Sequence, residues 1–149
     1  MAKYDAKTDT QIVDLGTLAL SGTTPAVSAY VDTAGFQACT IYIRNNTVTD
    51  AGTAAGFTAT LRDTDATTAV SAASVTAANS VDGVVTVVVT SDTADDSMAG
   101  VLGYVGGKRY VGVSVVGTTN TDAGVVVFAV LSRPASAKTV AIGAKVART

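Results

Sequence analysis

The pattern of apolar and polar positions is clearest near the carboxyl end of the chain. Between Lys108 and Arg133, two runs rich in valine flank the polar segment TTNTDAG. Runs of this composition favour β-strands, and turn-forming residues between them are typical of an antiparallel hairpin. Just before this hairpin, Gly106 and Gly107 predict a two-residue hairpin turn that joins the preceding strand to the first run.

The two valine-rich runs differ in their periodicity. The first alternates, so that Val111, Val113 and Val115 share one face, as expected of a strand with one buried side. The second run, from Val125 to Leu131, is apolar at every position, which predicts that both of its faces are buried. An antiparallel sheet commonly leaves one face in water, so this run requires a second cover, from this chain or from a neighbouring copy.

Shorter patterns predict the remaining strands. Gly16 indicates a bulge that splits the first segment into two short strands. Phe57, Ala59 and Leu61 predict the inward face of another strand. A polar loop is expected from residue 45 to 56, and the alanine-rich stretch 66–78 leaves room for one short helix. Besides the two valine-rich runs, strands are predicted over residues 10–20, 26–31, 36–44, 57–63, 84–90 and 101–105.

About eight strands at short spacing predict an all-β fold, a β-sandwich of jelly-roll or Greek-key order. A chain of 149 residues fits one domain, which we place at residues 10–133. Residues 1–9 are polar and predict an N-terminal arm. Pro134 ends the last strand, because proline cannot donate to a ladder. Residues 134–149 predict an extended C-terminal arm with a reach of ~50 Å, suited to lying across a neighbouring molecule.

Charge adds a constraint on partners. The chain has ten basic and twelve acidic side chains and a net charge of −2. The predicted C-terminal arm carries three bases and no acid, so the arm is +3 and the rest of the chain is −5. Nucleic-acid binders cluster many bases on one face, so no nucleic-acid partner is expected.

The beginning of the sequence and its apolar runs bear on localisation. The first ten residues contain no apolar stretch of the secretory kind, which predicts synthesis and folding in the cytoplasm. No run approaches the ~20 apolar residues of a membrane helix, so no membrane partner is expected.

The residue types leave little room for catalysis or metal binding. The chain has no histidine and one cysteine, Cys39, so Ser-His-Asp and Cys-His arrangements are impossible within it. We therefore expect no enzyme activity, no cofactor and no metal. Two acidic groups could in principle bind calcium, but solvated loops are the favoured interpretation of both. They are Asp63 with Asp65, and Asp92 with Asp95 and Asp96.

Two segments resemble a known class of proteins. The first is Lys-Arg-Tyr-Val-Gly-Val at 108–113, and the second is Ala-Val-Leu-Ser-Arg-Pro at 129–134. They are similar to the end of small structural proteins of tailed bacteriophages. Some of these are head decoration (cement) proteins, which bind the outside of the capsid shell, often as trimers at quasi-threefold positions. Gly112 stands where that pattern often has a second basic residue.

The resemblance implies a virion protein of the capsid surface, a homotrimer whose other partner is the major capsid protein. Other phage tail, neck or fibre components are an alternative. A carbohydrate-binding sandwich is another, with Tyr104 and Tyr110 as its aromatic platform. The residues predicted to bind partners are the bases Arg109, Arg133, Lys138, Lys145 and Arg148 and the apolar Val140 and Ile142.

Overall fold

The computed structural model describes residues 9–66, 73–134 and 145–146. Strands dominate this part of the chain, and a short 3₁₀ turn lies at Ala77–Asn79. The strands are β1 Thr10–Ser21, β2 Ala26–Val27, β3 Tyr30–Asp32, β4 Phe36–Asp50, β5 Phe57–Thr64, β6 Ala73–Ser74, β7 Thr86–Val89, β8 Met98–Tyr104, β9 Tyr110–Val116, β10 Asp122–Pro134 and β11 Lys145–Val146.

These strands form two antiparallel sheets, which confirms the predicted all-β sandwich. The four-stranded sheet has the order β1-β10-β4-β8. The seven-stranded sheet has the order β11-β3-β9-β5-β6, with β2 also paired to β9 and β7 to β5. Among the described residues, no helix has the length and apolar character needed to cross a membrane.

The core lies between the sheets and is filled by alternate residues of their strands. Phe57, Ala59 and Leu61 of β5 are at most 2% exposed, which confirms the predicted inward face. Ile41 and Ile43 of β4 meet them from the other sheet and are fully buried. Side chains that alternate along both sheets therefore build one continuous core, as expected of a sandwich.

The predicted bulge in the first strand is confirmed. The register between β1 and β10 shifts between Asp14 and Gly16. Gly16 has φ 102°, which glycine adopts without a Cβ penalty, and its N–H donates to Asp14 Oδ1 at 2.8 Å. The predicted split into two short strands is wrong, since β1 continues past the bulge and forms one strand, Thr10–Ser21.

Both predicted hairpins are wrong. The chain from β8 through Gly106 and Gly107 to β9 crosses from the four-stranded to the seven-stranded sheet. The segment after β9 crosses back, since β10 lies between β1 and β4. Long-range pairing overrides the local turn signal, because β9 pairs with β2, β3 and β5, and β10 pairs with β1 and β4, all from distant parts of the sequence.

The burial of these two strands is the reverse of the prediction. Every residue of β9 from Tyr110 to Val115 is buried, on both faces. The outer side of Gly112 is covered by residues 28–30, since a Cβ built there would lie 3.0 Å from Ala29 O. In β10, fully buried residues alternate with half-buried ones, so Val126, Phe128 and Val130 remain partly exposed. Of the two covers that the sequence allowed for β10, this chain does not supply one, and a cover by a neighbouring copy stays a prediction.

The chain between residues 45 and 56 also differs from the prediction. Residues 45–50 continue β4, so only the later part is a loop. The extension follows from β10, whose long run provides partners as far as Asp50. Of the stretch 66–78, residues 67–72 lie outside the described part, and β6 and the beginning of the 3₁₀ turn occupy most of the rest.

The structure describes three residues of the predicted C-terminal arm. Pro134 is the last residue of β10 and pairs with Phe36. Lys145 and Val146 form β11, which pairs with Val31 and Tyr30 of β3. These two residues therefore add to a sheet of their own chain, and the expectation that the arm lies across a neighbour stays a prediction for the rest of it.

Candidate interaction surfaces

Two ion pairs surround the connection between β8 and β9. The Arg109 guanidinium donates to both oxygens of Asp32, at 2.9 Å from Nε and 2.7 Å from Nη2. Lys108 Nζ donates to Asp65 at 2.7 Å, and the Arg109 backbone N–H donates to the same carboxylate at 3.2 Å. The hydrogen bond from Arg109 lowers the pKa of Asp32, and that from Lys108 lowers the pKa of Asp65. Arg109, a predicted partner-binding residue, is thus already paired within its own chain.

Tyr104 fixes the same connection from inside. Its hydroxyl donates to Asp63 Oδ2 at 2.8 Å and accepts from the Lys108 N–H at 2.9 Å. Burial raises the pKa of Tyr104 well above its ordinary value, and the hydrogen bond with Asp63 raises it further. Tyr104 and Tyr110 are 3% and 6% exposed, so neither ring offers the open platform that a sugar would need.

A small cavity of about 110 Å³ adjoins Tyr104. It is too small for the ligand pockets of roughly 300–1,000 Å³ that bind drug-sized molecules. The cavity is lined by the turn before β4, by the beginning of β4, and by the last residue of β8 with the two residues that follow it. These residues are Thr33, Phe36, Gln37, Ala38, Cys39, Tyr104, Val105 and Gly106.

The acidic residues between β7 and β8 have structural partners. Asp92 Oδ1 accepts from the backbone N–H of Ala51 at 2.8 Å, and Asp95 accepts from that of Val48. Asp96 forms an ion pair with Arg44 at 2.8 Å. These carboxylates fasten their loop to β4. Within the residues that the structure describes, no three carboxylate, histidine or cysteine side chains group as a metal site.

The other predicted partner-binding residues lie at the C-terminal end. Arg133 is exposed, and its positive φ of 56° turns the backbone just before Pro134. Lys145 lies in β11, where its backbone pairs with β3. Lys138, Val140, Ile142 and Arg148 lie outside the described residues. The structure therefore does not bring this set together at one site.

The outer side of the four-stranded sheet carries a surface that the sequence did not locate in full. Ile12, Val101 and Met98 are 65%, 47% and 51% exposed. Their neighbours on the same side are half-buried. We call this surface the apolar outer face, and it consists of Ile12, Tyr42, Met98, Val101, Val126, Phe128 and Val130.

Strand register places these side chains next to each other. Phe128 lies opposite Tyr42, and Tyr42 lies opposite Val101, so one row crosses three strands. The Phe128 and Tyr42 rings stack with centroids 5.1 Å apart and planes 3° from parallel. In the next row Val130 lies opposite Ile12. The result is a contiguous apolar patch at the centre of the sheet.

Two charged residues border this patch. Asp14 is exposed on β1 and lies opposite Phe128. Arg44 lies on β4 opposite Val126, with 42% of its side chain exposed, and also pairs with Asp96. An antiparallel sheet that faced only water would carry mostly polar residues here, so the surface is typical of an interface.

Sequence reasoning found one strand of this face and missed the rest. The uninterrupted apolar run of β10 pointed to a second covered side. Ile12, Tyr42 and Val101 come from three other strands, and only the register of the folded sheet shows that they adjoin that run.

Comparison with known proteins does not assign the chain to a family. No protein-family model matches the chain, and no curated protein matches it. One similar solved structure is described as Bacillus endospore appendages that form a novel family of disulfide-linked pili. Its TM-score is 0.36 and its identity 14%, over 90% of this chain and 98% of the other. A similarity this low assigns neither a family nor a function to the chain.

Proposed function

We propose that this chain is a structural protein of a tailed-bacteriophage virion, a decoration (cement) protein that binds the outside of the head shell as a homotrimer. The observation that carries the proposal is the apolar outer face, which a solitary protein would leave in water. A building block covers such a face with its neighbours, and exposed apolar patches of this kind are typical of protein–protein interaction sites.

The strand pairing supports a finer description of the fold, and we infer a jelly-roll order. Taking β2 with β3 as one strand and leaving aside β6 and β11, eight strands remain. The first pairs with the last, the second with the seventh, the third with the sixth and the fourth with the fifth. Such nested pairs arise when one long hairpin folds into two sheets. Jelly rolls are common in capsid domains, although fold alone does not fix function.

The chemistry of the chain agrees with a structural role. The carboxylates and bases around β8 and β9 pair with each other and leave no activated nucleophile or base. Docking on the shell is assigned to the basic C-terminal end, with Arg133, Lys138, Lys145 and Arg148 facing acidic groups of the major capsid protein. Arms that become ordered on docking lose entropy, which the contacts must offset.

The test is binding of the purified chain to phage heads that lack it, followed by electron microscopy. We expect density at quasi-threefold positions on the outside of the shell and weaker binding by a variant that lacks residues 134–149. Undiminished binding by the truncated variant would refute the role of the arm. Density on the tail or neck would instead assign the chain to another part of the virion.

A further inference from the structure

We propose that the apolar outer face is the surface by which three copies of this chain assemble around a three-fold axis, with Asp14 of each copy paired with Arg44 of the next. This inference rests on the proposed function in one respect, namely that the protein is a homotrimer. It adds the surface, the orientation of the subunits and the residues that hold them together.

The apolar content of the face argues for a protein partner. The stacked rings of Tyr42 and Phe128 lie at its centre, and Ile12 and Val101 project on either side, on the two edge strands. Aromatic and aliphatic side chains that are half-buried in one subunit are the usual centre of an interface. Covering them removes apolar surface from water without burying an unpaired charge at the centre.

The charges argue for a second copy as the occupant. The face carries one acidic residue, Asp14, and one basic residue, Arg44, whose Nη2 also donates to Asp96 at the border of the face. Charges of both signs lie close together, so the face does not select a strongly acidic or a strongly basic partner. Asp14 lies on the first strand of the sheet and Arg44 on the third, two residues further along. From standard strand spacings they lie roughly 12 Å apart. The face therefore has an acidic side and a basic side, and is complementary to another copy of itself.

In the proposed homotrimer the acidic side of one copy meets the basic side of the next, a head-to-tail contact that closes into a ring when the rotation permits. Two copies placed face to face about a two-fold axis would also bring Asp14 of each against Arg44 of the other, so the ring is taken from the proposed homotrimer and not from the charges. The four strands span only about 19 Å, giving a footprint below the roughly 800 Å² per partner of a standard two-body interface. In a ring each copy meets two neighbours, so the flanks of β1 and β8 add to the contact.

The ends of the strands agree with this arrangement. Thr10 at the beginning of β1 lies opposite Ser132 near the end of β10, so both predicted arms begin at the same rim of the face. Around a three-fold axis that rim lies beside the neighbouring copies.

The first experiment measures the mass of the full purified chain by light scattering during size-exclusion chromatography. We expect a trimer of 14.8 kDa chains for the wild type. Ile12→Arg and Val101→Arg change residues that are already about half exposed or more, so they should fold and dissociate the trimer at the same concentration. Val88→Arg is the matched control, because Val88 is 53% exposed on β7 of the other sheet, and it should stay trimeric.

The second experiment tests the charge pair. Asp14→Lys and Arg44→Glu should each weaken the trimer about tenfold or more, and the double variant should restore it, because the exchanged charges meet again. Asp14→Asn keeps the oxygen that accepts from Gly16 N–H and removes only the charge. It separates the loss of the pair from a disturbed bulge and should show an intermediate effect.

The outcomes separate this inference from the proposed function. The inference is overturned if the trimer survives Ile12→Arg and Val101→Arg, or if the double charge variant forms no more trimer than either single charge variant. The virion role is then tested separately, by the head-binding assay. A wild type that stays monomeric also overturns it. If Ile12→Arg then reduces head binding, the face belongs to the shell protein.

Discussion

Arg109 holds both carboxylate oxygens of Asp32 in a two-point ion pair, although 77 residues separate them along the chain. Asp32 closes β3, and Arg109 immediately precedes β9, so the pair ties the ends of two neighbouring strands. Asp32 Oδ1 also accepts from the N–H of Ala34 and so fixes the turn that leads into β4. The side chain predicted to dock a partner thus has a structural role in its own domain.

This pair predicts part of the acid stability of the protein. Because Arg109 lowers the pKa of Asp32, the unfolded state binds this proton more readily. The stabilisation is present above the unfolded pKa of about 3.9 and is lost as the pH falls through the folded pKa. As the pH falls below about 4, the unfolding free energy of Asp32→Asn and Arg109→Met should therefore fall less steeply than that of the wild type. Parallel curves from urea melts would contradict the assignment.

The sequence predicted individual strands better than their connections. Alternation located the inward residues of β5, because the side of a strand that faces the core is a local property. Hairpin turns depend on whether consecutive strands are neighbours. Gly106 and Gly107 permit a tight turn, but β8 pairs with β4 and β9 with β5, and these partners lie too far away in sequence to be read locally.

The candidate site could be predicted only in part, for a related reason. The apolar run of β10 located one strand of the apolar outer face, and the cover that it predicts for that side stays a prediction. The sequence could not show that β9 is the strand buried on both sides, because its cover comes from residues 28–30. Nor could it place Ile12 beside Val130, since the bulge at Gly16 shifts the register of β1.

Gly112 provides a test of that cover. A Cβ at this position would lie 2.9 Å from the Tyr30 ring and 3.0 Å from both Ala29 O and Ser28 Oγ. Gly112→Ala should therefore destabilise the fold by about 1–3 kcal/mol through overpacking. The same crowding leaves no room for a basic side chain at this position. Gly107→Ala is the control, since nothing lies within 4 Å of its Cβ position. Equal melting temperatures for the two variants would refute the clash.

Ser28 connects the same cover to β9 through a buried hydrogen bond. The Val113 N–H donates to Ser28 Oγ at 2.9 Å, and the hydroxyl donates to Ala29 O at 2.7 Å. Ser28 is fully buried, so Ser28→Ala leaves the Val113 N–H without this acceptor and should cost about 1–3 kcal/mol. Amide hydrogen exchange of Val113 should accelerate as well. The exposed Ser21→Ala serves as the control, and unchanged exchange at Val113 in Ser28→Ala would show that the bond contributes nothing.

The single cysteine predicts how the protein responds to alkali. Cys39 lies on β4 and is 4% exposed, and burial raises the pKa of its thiol from 9.0 to about 12. Because the folded state keeps this proton when the unfolded state has lost it, the stabilisation is complete below about pH 9 and is lost as the pH rises towards 12. Tyr30, whose pKa is raised from 10.0 to about 12 by burial, adds to the loss at higher pH.

Between about pH 9 and 10, the difference between the wild type and Cys39→Ala isolates the thiol, because both proteins keep their tyrosines, whose unfolded pKa is 10.0. The wild type should lose about 1 kcal/mol more unfolding free energy than Cys39→Ala over this pH unit. The comparison concerns the slope, since the alanine variant is also less stable at every pH through the cavity that it creates. A thiol reagent should react with the wild type only as fast as the chain unfolds. Rapid labelling at pH 9 with no loss of structure would place the thiol at the surface and contradict its burial in the core.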